Sequence, residues 1–178
     1  ARQLGRPWDV DGAAAARGTA RPALLHELLA HPYFHQDPPK RTSPADWGQR
    51  YLWELRAMAG KHRCGDADLL ATAVECVARA VARAASERTE RPHQVLLAGG
   101  GARNIHLAGR IRALLSPSST LTCEAAGVPL RLHGAACMAL LAAARLDGHP
   151  AGLPSVTGAR TRTILGDLAN GPVGDVPP

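Results

Sequence analysis

The chain has 178 residues, of which 46% are hydrophobic and 3% aromatic, and its formal net charge is +6 at pH 7. This composition suffices for one hydrophobic core and excludes whole-chain disorder, and no apolar run approaches the roughly 18 residues of a membrane span. The basic residues are almost all arginines scattered among acids, with few aromatic residues for base stacking, so we expect no nucleic-acid partner. A general attraction for phosphate or carboxylate ligands is the milder interpretation.

The cysteine and histidine residues predict neither a disulfide scaffold nor a metal site. Four cysteines are present, none of them in a C-x-x-C pair: Cys64, Cys76, Cys123 and Cys137. Their spacing favours reduced thiols that act as small core residues in a cytoplasmic protein. His31 and His35 lie close together in a proline-rich stretch without a third ligand, which favours surface or capping roles.

Helical spacing dominates the first half of the chain. Pro22–Leu29 places Leu25, Leu28 and Leu29 on one face, and its proline suits the first helical position. Residues 31–45 contain four prolines and predict an irregular loop, after which a helix runs from about Asp46 to Gly60. The strongest helix runs from Asp66 to about Arg88, with Asp66 or Asp68 as its N-cap. Its apolar residues repeat at three- and four-residue steps: Leu70, Val74, Val77 and Val81.

The second half of the chain predicts a β-loop-α-β unit. A buried strand that includes Val95–Ala98 leads at once into three glycines, and a helix that Asn104 can cap follows. Thr120–Cys123 is the next strand, and we expect it to lie parallel to the first, with a right-handed crossover. The fold class is therefore α/β, with a further strand candidate at Thr161–Leu165. Three helices should pack on the central sheet: 66–88, 104–115 and 132–146.

The turn G-G-G-A-R-N, from Gly99 to Asn104, is the strongest functional signal. Glycines between a strand and a helix let a ligand approach the backbone, which suits the phosphate or sugar edge of a nucleotide. No Gly-Lys-Ser/Thr follows, so the turn is not a Walker A loop, and Asn104 replaces the third glycine of a dinucleotide fingerprint. Glu124 lies about where a Rossmann-type fold needs an acid for ribose. That alternative stays open, as does a purely structural role for the turn.

Three other segments offer polar groups with weaker chemical signals. Asp9-Val10-Asp11-Gly12 lacks the acidic spacing of a Ca²⁺ loop and is typical of a capped turn. Lys40 follows two prolines, where it can face a phosphate or sugar acid or remain solvated. Ser155–Gly158 carries two hydroxyls without a general base and is first a turn.

Five motifs occur in a fixed order along the chain. They are W-D-V-D-G-x5-G from Trp8, L-L-x-H-P-Y-F-x3-P-P-K from Leu28, D-L-L-A-T from Asp68, L-A-G-G-G-A-R-N from Leu97 and L-P-S-V-T-G-A from Leu153. In this order they resemble the C-terminal half of the anhydro-N-acetylmuramic acid kinases, and the resemblance covers essentially the whole chain. That family belongs to the sugar-kinase/actin/Hsp70 ATPase superfamily.

The resemblance implies that residues 1–170 form a ribonuclease H-like, actin-like ATPase lobe and that residues 171–178 are a mobile tail. It implies an enzyme that uses ATP and Mg²⁺ to open the anhydro ring of anhydro-N-acetylmuramic acid with water and to phosphorylate the sugar, in peptidoglycan recycling. A homodimer is also expected from the family. The adenosine side of the nucleotide would lie on five residues: Gly99, Gly100, Gly101, Ala102 and Asn104.

Departures from the family pattern qualify this expectation. The family's phosphate loop and the D-T-G-P segment with its catalytic aspartate match nothing here, so we assign no catalytic residue or metal ligand. The chain begins at Ala1 rather than Met, which suggests a fragment that needs an N-terminal lobe and is inactive alone. Ser43-Pro44 interrupts the family's S-T-G-R-E stretch, and Gly134 stands where the family carries a glutamate. A non-catalytic nucleotide-binding relative is therefore the alternative function.

Overall fold

The computed structural model describes residues 8–40, 42–87 and 91–169. Its helices and strands are α1 (Pro22–Leu29), α2 (Pro44–Trp47), α3 (Gln49–Lys61), α4 (Asp66–Ser86), β1 (Gln94–Leu97), α5 (Ile105–Leu115), β2 (Ser119–Thr122), α6 (His133–Leu146) and α7 (Pro154–Thr157). Short 3₁₀ helices lie at Val10–Gly12, Ala15–Arg17, Pro32–His35, Gly100–Arg103 and Cys123–Ala126. The chain is thus a mixed α/β protein. None of the described helices is long and apolar enough to cross a membrane.

Two compact units make up the chain, Ala1–Gly134 and Ala135–Pro178. The first contains α1 to α5 and both strands, and the second contains most of α6 and all of α7. The expected lobe boundary at residue 170 stays a prediction. The expected mobile tail, 171–178, lies outside the described residues.

The two strands pair in parallel, with Leu97 opposite Thr122. This confirms the predicted β-α-β unit, although both strands lie one residue earlier than expected. The prediction that β1 is buried is wrong, because its residues alternate in exposure and Leu96 is 46% exposed. One face of the strand, with Val95 and Leu97, packs against the cluster formed by α4 and α5, and the other face is open.

Apolar contacts around α4 form the core of the first unit. One cluster joins α4 to α5 through buried Ala78, Ile111 and Leu115. A second cluster joins α4 to α1 and α3, and its buried members are Leu24, Leu25, Leu28, Ala59 and Cys76. Both predicted helices, α4 and α5, therefore pack as expected, whereas α6 contains no buried residue and its packing on the sheet stays a prediction.

The buried face of α4 differs from the predicted one. Val77, which periodicity places in the core, is 48% exposed. The buried residues of α4 are instead mostly small: Ala71, Thr72, Glu75, Cys76 and Ala78. Small side chains let α1, α5 and the segment before α1 approach the α4 backbone closely, and this packing overrides the spacing of the larger residues.

The start of α4 is also built differently from the prediction, since neither Asp66 nor Asp68 caps it. Gly65 occupies the N-cap without a side-chain hydrogen bond. The Asp68 carboxylate instead accepts a hydrogen bond from Thr19 N at 2.8 Å and pairs with Arg21 Nε at 2.8 Å. Asp68 therefore ties the N-terminal segment to α4 rather than ending the helix.

Other helix and strand bounds need smaller corrections. The helix predicted from Asp46 to Gly60 is divided at Gly48, and α2 begins in a capping box in which Ser43 N donates to Asp46 Oδ2 at 2.8 Å. The predicted loop 31–45 contains a 3₁₀ turn. The strand predicted at Thr161–Leu165 is wrong, because the described backbone there makes no strand pairing, although Gly152 N donates to Thr163 O.

Glu75 is an acidic residue on the buried face of α4, and its side chain is 7% exposed. Its carboxylate accepts hydrogen bonds from Arg110 Nε on α5 at 2.8 Å and from Arg79 Nε at 2.8 Å. The hydrogen bonds from Arg110 are the main reason that the pKa of Glu75 is lowered from 4.5. The charged form of Glu75 therefore joins the two helices that hold the sheet.

We predict that Glu75→Gln lowers the free energy of unfolding by about 2 kcal/mol at pH 7, since both arginines lose their charged partner but remain partly solvated. A depressed folded-state pKa contributes stability above the unfolded pKa, and this contribution disappears as the pH falls through the folded value. The difference between wild type and variant should therefore shrink below about pH 4.5, as measured by urea unfolding.

The matched control for this prediction is Glu54→Gln, which removes an exposed pair with Arg50 on α3. Its effect should stay below about 0.5 kcal/mol. A Glu75→Gln loss equal to that of the control, or independent of pH, would contradict the structural role of the buried pair.

Candidate functional site

The Gly99–Asn104 turn connects the end of β1 to the start of α5. Gly99 has φ 79° and ψ −175°, a backbone conformation that residues other than glycine rarely adopt. The backbone then forms the short 3₁₀ helix Gly100–Arg103, and Asn104 returns to an extended conformation before α5 begins. All five residues predicted to bind a nucleotide thus lie in one turn at the carboxyl end of a strand.

One side of this turn is open. A Cβ atom added at Gly99 or Gly100 would meet no other atom within 4 Å. A Cβ at Gly101 would meet only the end of the Leu107 side chain, at 3.9 Å. The Cα atoms of the first two glycines therefore face open space, and binding of a ligand there stays a prediction.

Asn104 lies on the opposite, packed side of the turn. Its Oδ1 accepts a hydrogen bond from Leu107 N at 2.9 Å, which confirms the predicted N-cap of α5. Its backbone N donates to Gly101 O at 3.1 Å. Asn104 therefore holds the turn and the helix in one arrangement, and its Oδ1 already serves the helix.

Gly12 covers the Asn104 side chain from a distant part of the sequence. A Cβ at Gly12 would overlap Asn104 Oδ1 and would lie 2.7 Å from His106 Cβ. No local sequence pattern predicts this contact. The signal available was Gly12 itself, at the end of the W-D-V-D-G motif, because a buried glycine often marks a close approach between two backbones.

The same N-terminal motif is fixed to α4. Asp9 is a loop cap, as predicted, because its carboxylate accepts hydrogen bonds from Ala14 N at 2.8 Å and Ala15 N at 3.0 Å. At the other end of the motif, a Cβ at Gly18 would overlap the backbone of Ala67. Three of the five ordered motifs, those that begin at Trp8, Asp68 and Leu97, are therefore neighbours in the structure.

Glu124, the acid of the Rossmann-type alternative, lies at the same edge of the sheet as the glycine turn. It follows β2, and its Oε2 accepts a hydrogen bond from Thr122 Oγ1 at 3.3 Å. Within the ranges that the structure describes, no three His, Cys, Asp or Glu side chains gather as ligands for a metal ion. The turn itself carries backbone groups, the Arg103 side chain and the Asn104 carboxamide.

Lys40 lies in a separate concavity of about 740 Å³ between α1, the Pro32–His35 turn and α4. Its Nζ donates to Phe34 O at 3.3 Å and lies 5.7 Å from the centre of the Tyr33 ring. None of the described residues that line this concavity belongs to the glycine turn. The Lys40 ammonium group is thus held over the Tyr33 ring by its hydrogen bond to Phe34 O.

The two histidines in this region have structural contacts. His31 Nδ1 accepts a hydrogen bond from Tyr33 N at 3.2 Å, which confirms a capping role, and its ring lies 4.8 Å from that of Trp47. His35 Nε2 lies 3.1 Å from Leu29 O. The Ser155–Gly158 segment, predicted as a turn, forms the one-turn helix α7, in which Thr157 Oγ1 donates to Leu153 O.

No disulfide joins the four cysteines, all of which lie in the described ranges. Cys76 and Cys123 are buried small residues, and Cys64 is partly buried against the cluster of α1, α3 and α4. Cys137 is exposed, so the predicted core role is wrong for this residue. Burial raises the pKa of Cys76 to about 11. A thiol with that pKa is almost entirely protonated at neutral pH and is a poor nucleophile.

We predict that Asn104→Ala destabilises the protein by about 1 kcal/mol, because α5 loses its cap, and that Asn104→Asp loses less because a carboxylate oxygen can still accept from Leu107 N. Chemical denaturation of the three proteins measures both effects. Equal losses for the two variants would show that the cap hydrogen bond contributes nothing.

The anhydro-N-acetylmuramic acid kinase family model matches residues 1–171. The protein named anhydro-N-acetylmuramic acid kinase in Trichormus variabilis is 36% identical over 169 residues, covering 93% of this chain and 43% of that protein. Proteins of the same name from Coxiella burnetii and Gloeobacter violaceus are both 37% identical, covering 93% of this chain and 44% and 43% of their own lengths. The chain thus spans less than half the length of these curated relatives. Since the match includes all five ordered motifs, the chain belongs to the anhydro-N-acetylmuramic acid kinase family.

Proposed function

We propose that this protein is an ATP-dependent kinase that acts on anhydro-N-acetylmuramic acid and that the Gly99–Asn104 turn binds the adenosine side of its nucleotide. The nucleotide-binding part of this proposal rests on the geometry of the turn. It lies at the carboxyl end of a parallel strand, it is open at Gly99 and Gly100, and it leads directly into a helix. Ligands of α/β folds bind characteristically at this edge of the sheet. Membership of a kinase family supports ATP as the phosphoryl donor.

The proposed reaction opens the anhydro ring with water and transfers one phosphoryl group. Water supplies the new hydroxyl at carbon 1, the 1,6-anhydro bond breaks, and oxygen 6 receives the γ-phosphoryl group of ATP, giving N-acetylmuramate 6-phosphate and ADP. Gly99, Gly100, Gly101 and Ala102 would supply backbone surface to adenosine or ribose, and Asn104 would hold that surface in place. We assign no general base among the described residues. Phosphoryl transfer depends mainly on positioning and charge stabilisation, so this turn contributes orientation.

In the described parts of the chain, no group of three His, Cys, Asp or Glu side chains is placed to hold Mg²⁺. We propose that Mg²⁺ accompanies the nucleotide phosphates and that the remaining contacts come from an N-terminal lobe. The length of the relatives supports this proposal, since each is about twice as long as this chain. An actin-like fold for the lobe, a homodimer and a cytoplasmic location, where ATP is abundant, belong to the same proposal.

A non-catalytic nucleotide-binding relative is the second candidate function. Gly134, where the family carries a glutamate, favours it, because a carboxylate is missing at the start of α6 and open space surrounds the glycine. The same turn would then bind a nucleotide without phosphorylating a sugar. An activity assay separates the two candidates directly.

We predict that the protein, expressed from its whole gene (the gene-encoded protein), converts ATP and anhydro-N-acetylmuramic acid to N-acetylmuramate 6-phosphate in the presence of Mg²⁺. Mass spectrometry detects the product, and in water enriched in ¹⁸O the product should gain one heavy oxygen. N-acetylglucosamine, which lacks the anhydro ring, is the negative control. ATP binding without any phosphorylated product would contradict the kinase proposal and favour the non-catalytic relative.

We predict that Gly100→Val raises the Kd for ATP about tenfold or more, since a branched side chain would occupy the open side of the turn. Isothermal titration calorimetry of the gene-encoded protein measures this change. Gly60→Val is the matched control, because a Cβ at Gly60 also meets nothing within 4 Å but lies on α3. An unchanged ATP affinity in a folded Gly100→Val protein would assign the turn a purely structural role.

A further inference from the structure

We propose that the Asp9–Gly12 loop positions the Gly99–Asn104 turn for nucleotide binding. Gly12 holds the Asn104 side chain in its capping orientation, and Asp9 holds Gly12 in place. Neither residue belongs to the open side of the turn, so both are positioning residues. The proposal rests on the proposed nucleotide-binding role of the turn.

The contact between Gly12 and Asn104 leaves room for a hydrogen atom only. Gly12 is buried, and its φ of 76° lies in the left-handed region that favours glycine. A Cβ there would overlap Asn104 Oδ1. It would also lie 2.7 Å from His106 Cβ and 2.9 Å from Asn104 Cγ. Two separate features, the backbone conformation and the close approach, therefore require glycine at this position.

Asp9 closes the loop that carries Gly12. Its two carboxylate oxygens accept from Ala14 N and Ala15 N, and its backbone carbonyl accepts from Gly12 N at 3.3 Å. Asp11, between them, also has a positive φ of 56°. Two successive residues in the left-handed region make a sharp bend, and the Asp9 carboxylate is the group that fixes the residues after that bend.

The position of Asn104 controls the geometry of the whole turn. Its Oδ1 is bonded to Leu107 N on α5, and its backbone N is bonded to Gly101 O. A side chain at position 12 would displace the Asn104 carboxamide and disturb both bonds at once. Misplacement of a binding group by about 1 Å can cost on the order of a hundredfold in activity, so a distant loop can set nucleotide affinity without touching the ligand.

The test compares Gly12→Ala with Gly148→Ala in the gene-encoded protein. Gly148 has a φ of 65°, so alanine there meets a similar backbone strain, but its Cβ would touch nothing within 4 Å. We expect Gly12→Ala to raise the Kd for ATP at least tenfold relative to Gly148→Ala, with circular dichroism confirming that both proteins are folded. In steady-state assays, the KM for ATP should rise while the KM for the sugar stays within twofold. Equal ATP affinities in the two variants would overturn the proposal.

A second pair of variants keeps the test decisive if Gly12→Ala does not fold. Asp9→Ala removes the carboxylate that closes the loop and leaves the glycine untouched, whereas Asp9→Asn keeps one acceptor oxygen. We expect the Kd for ATP to rise threefold or more in Asp9→Ala and by less in Asp9→Asn. Asp46→Ala, which removes an exposed helix-capping carboxylate, is the control and should leave the Kd unchanged. An unchanged Kd in Asp9→Ala would overturn the proposal.

Gly100→Val separates failure of this proposal from failure of the proposed function. If Gly100→Val weakens ATP binding and Gly12→Ala does not, the turn binds the nucleotide and the positioning role of the loop is wrong. If Gly100→Val leaves ATP affinity unchanged, the nucleotide role of the turn is wrong, and the positioning proposal is overturned with it.

Discussion

The close approach of other segments to the backbone of α4 is the constraint on which the first unit depends. Thr72, in the second turn of this helix, is fully buried, and its hydroxyl donates to Asp68 O at 2.6 Å while accepting from Arg21 N at 2.9 Å. Gly18 lies directly against the Ala67 backbone. Such distances are possible only because the buried face of α4 consists mainly of small side chains, so that backbone polar groups and short side chains satisfy one another across the interface.

This packing connects the fold to the candidate site. The segment that Asp68 and Thr72 fix to α4 begins with the loop that covers Asn104, and Asn104 ends the glycine turn. On the other side, Glu75 joins α4 to α5 through Arg110, and Asn104 is the N-cap of α5. The turn is therefore held from two directions by contacts to one helix, and its first glycines remain free to meet a ligand.

The packed side and the open side of the turn offer different groups to a ligand. Asn104, which sequence patterns place among the ligand-binding residues, has its Oδ1 engaged by the helix. Gly99 and Gly100 carry the accessible backbone. The proposed role in nucleotide binding therefore depends on the backbone of the glycines, while the asparagine and the distant Gly12 keep that backbone in place.

The sequence by itself determined the parallel β-α-β unit, the cap at Asn104, the bounds of α1 and the family. These features depend on the spacing of apolar residues, on the preference of glycine for turns and of asparagine for helix N-caps, and on ordered motifs. All of these signals lie within short stretches of sequence. The tertiary structure alone decided which face of α4 is buried, because close packing selected Ala71 and Ala78 over the larger Val77. It also decided the contact between Gly12 and Asn104, since residues 92 positions apart carry no local signal for meeting, and only the packing of both segments around α4 and α5 brings them together.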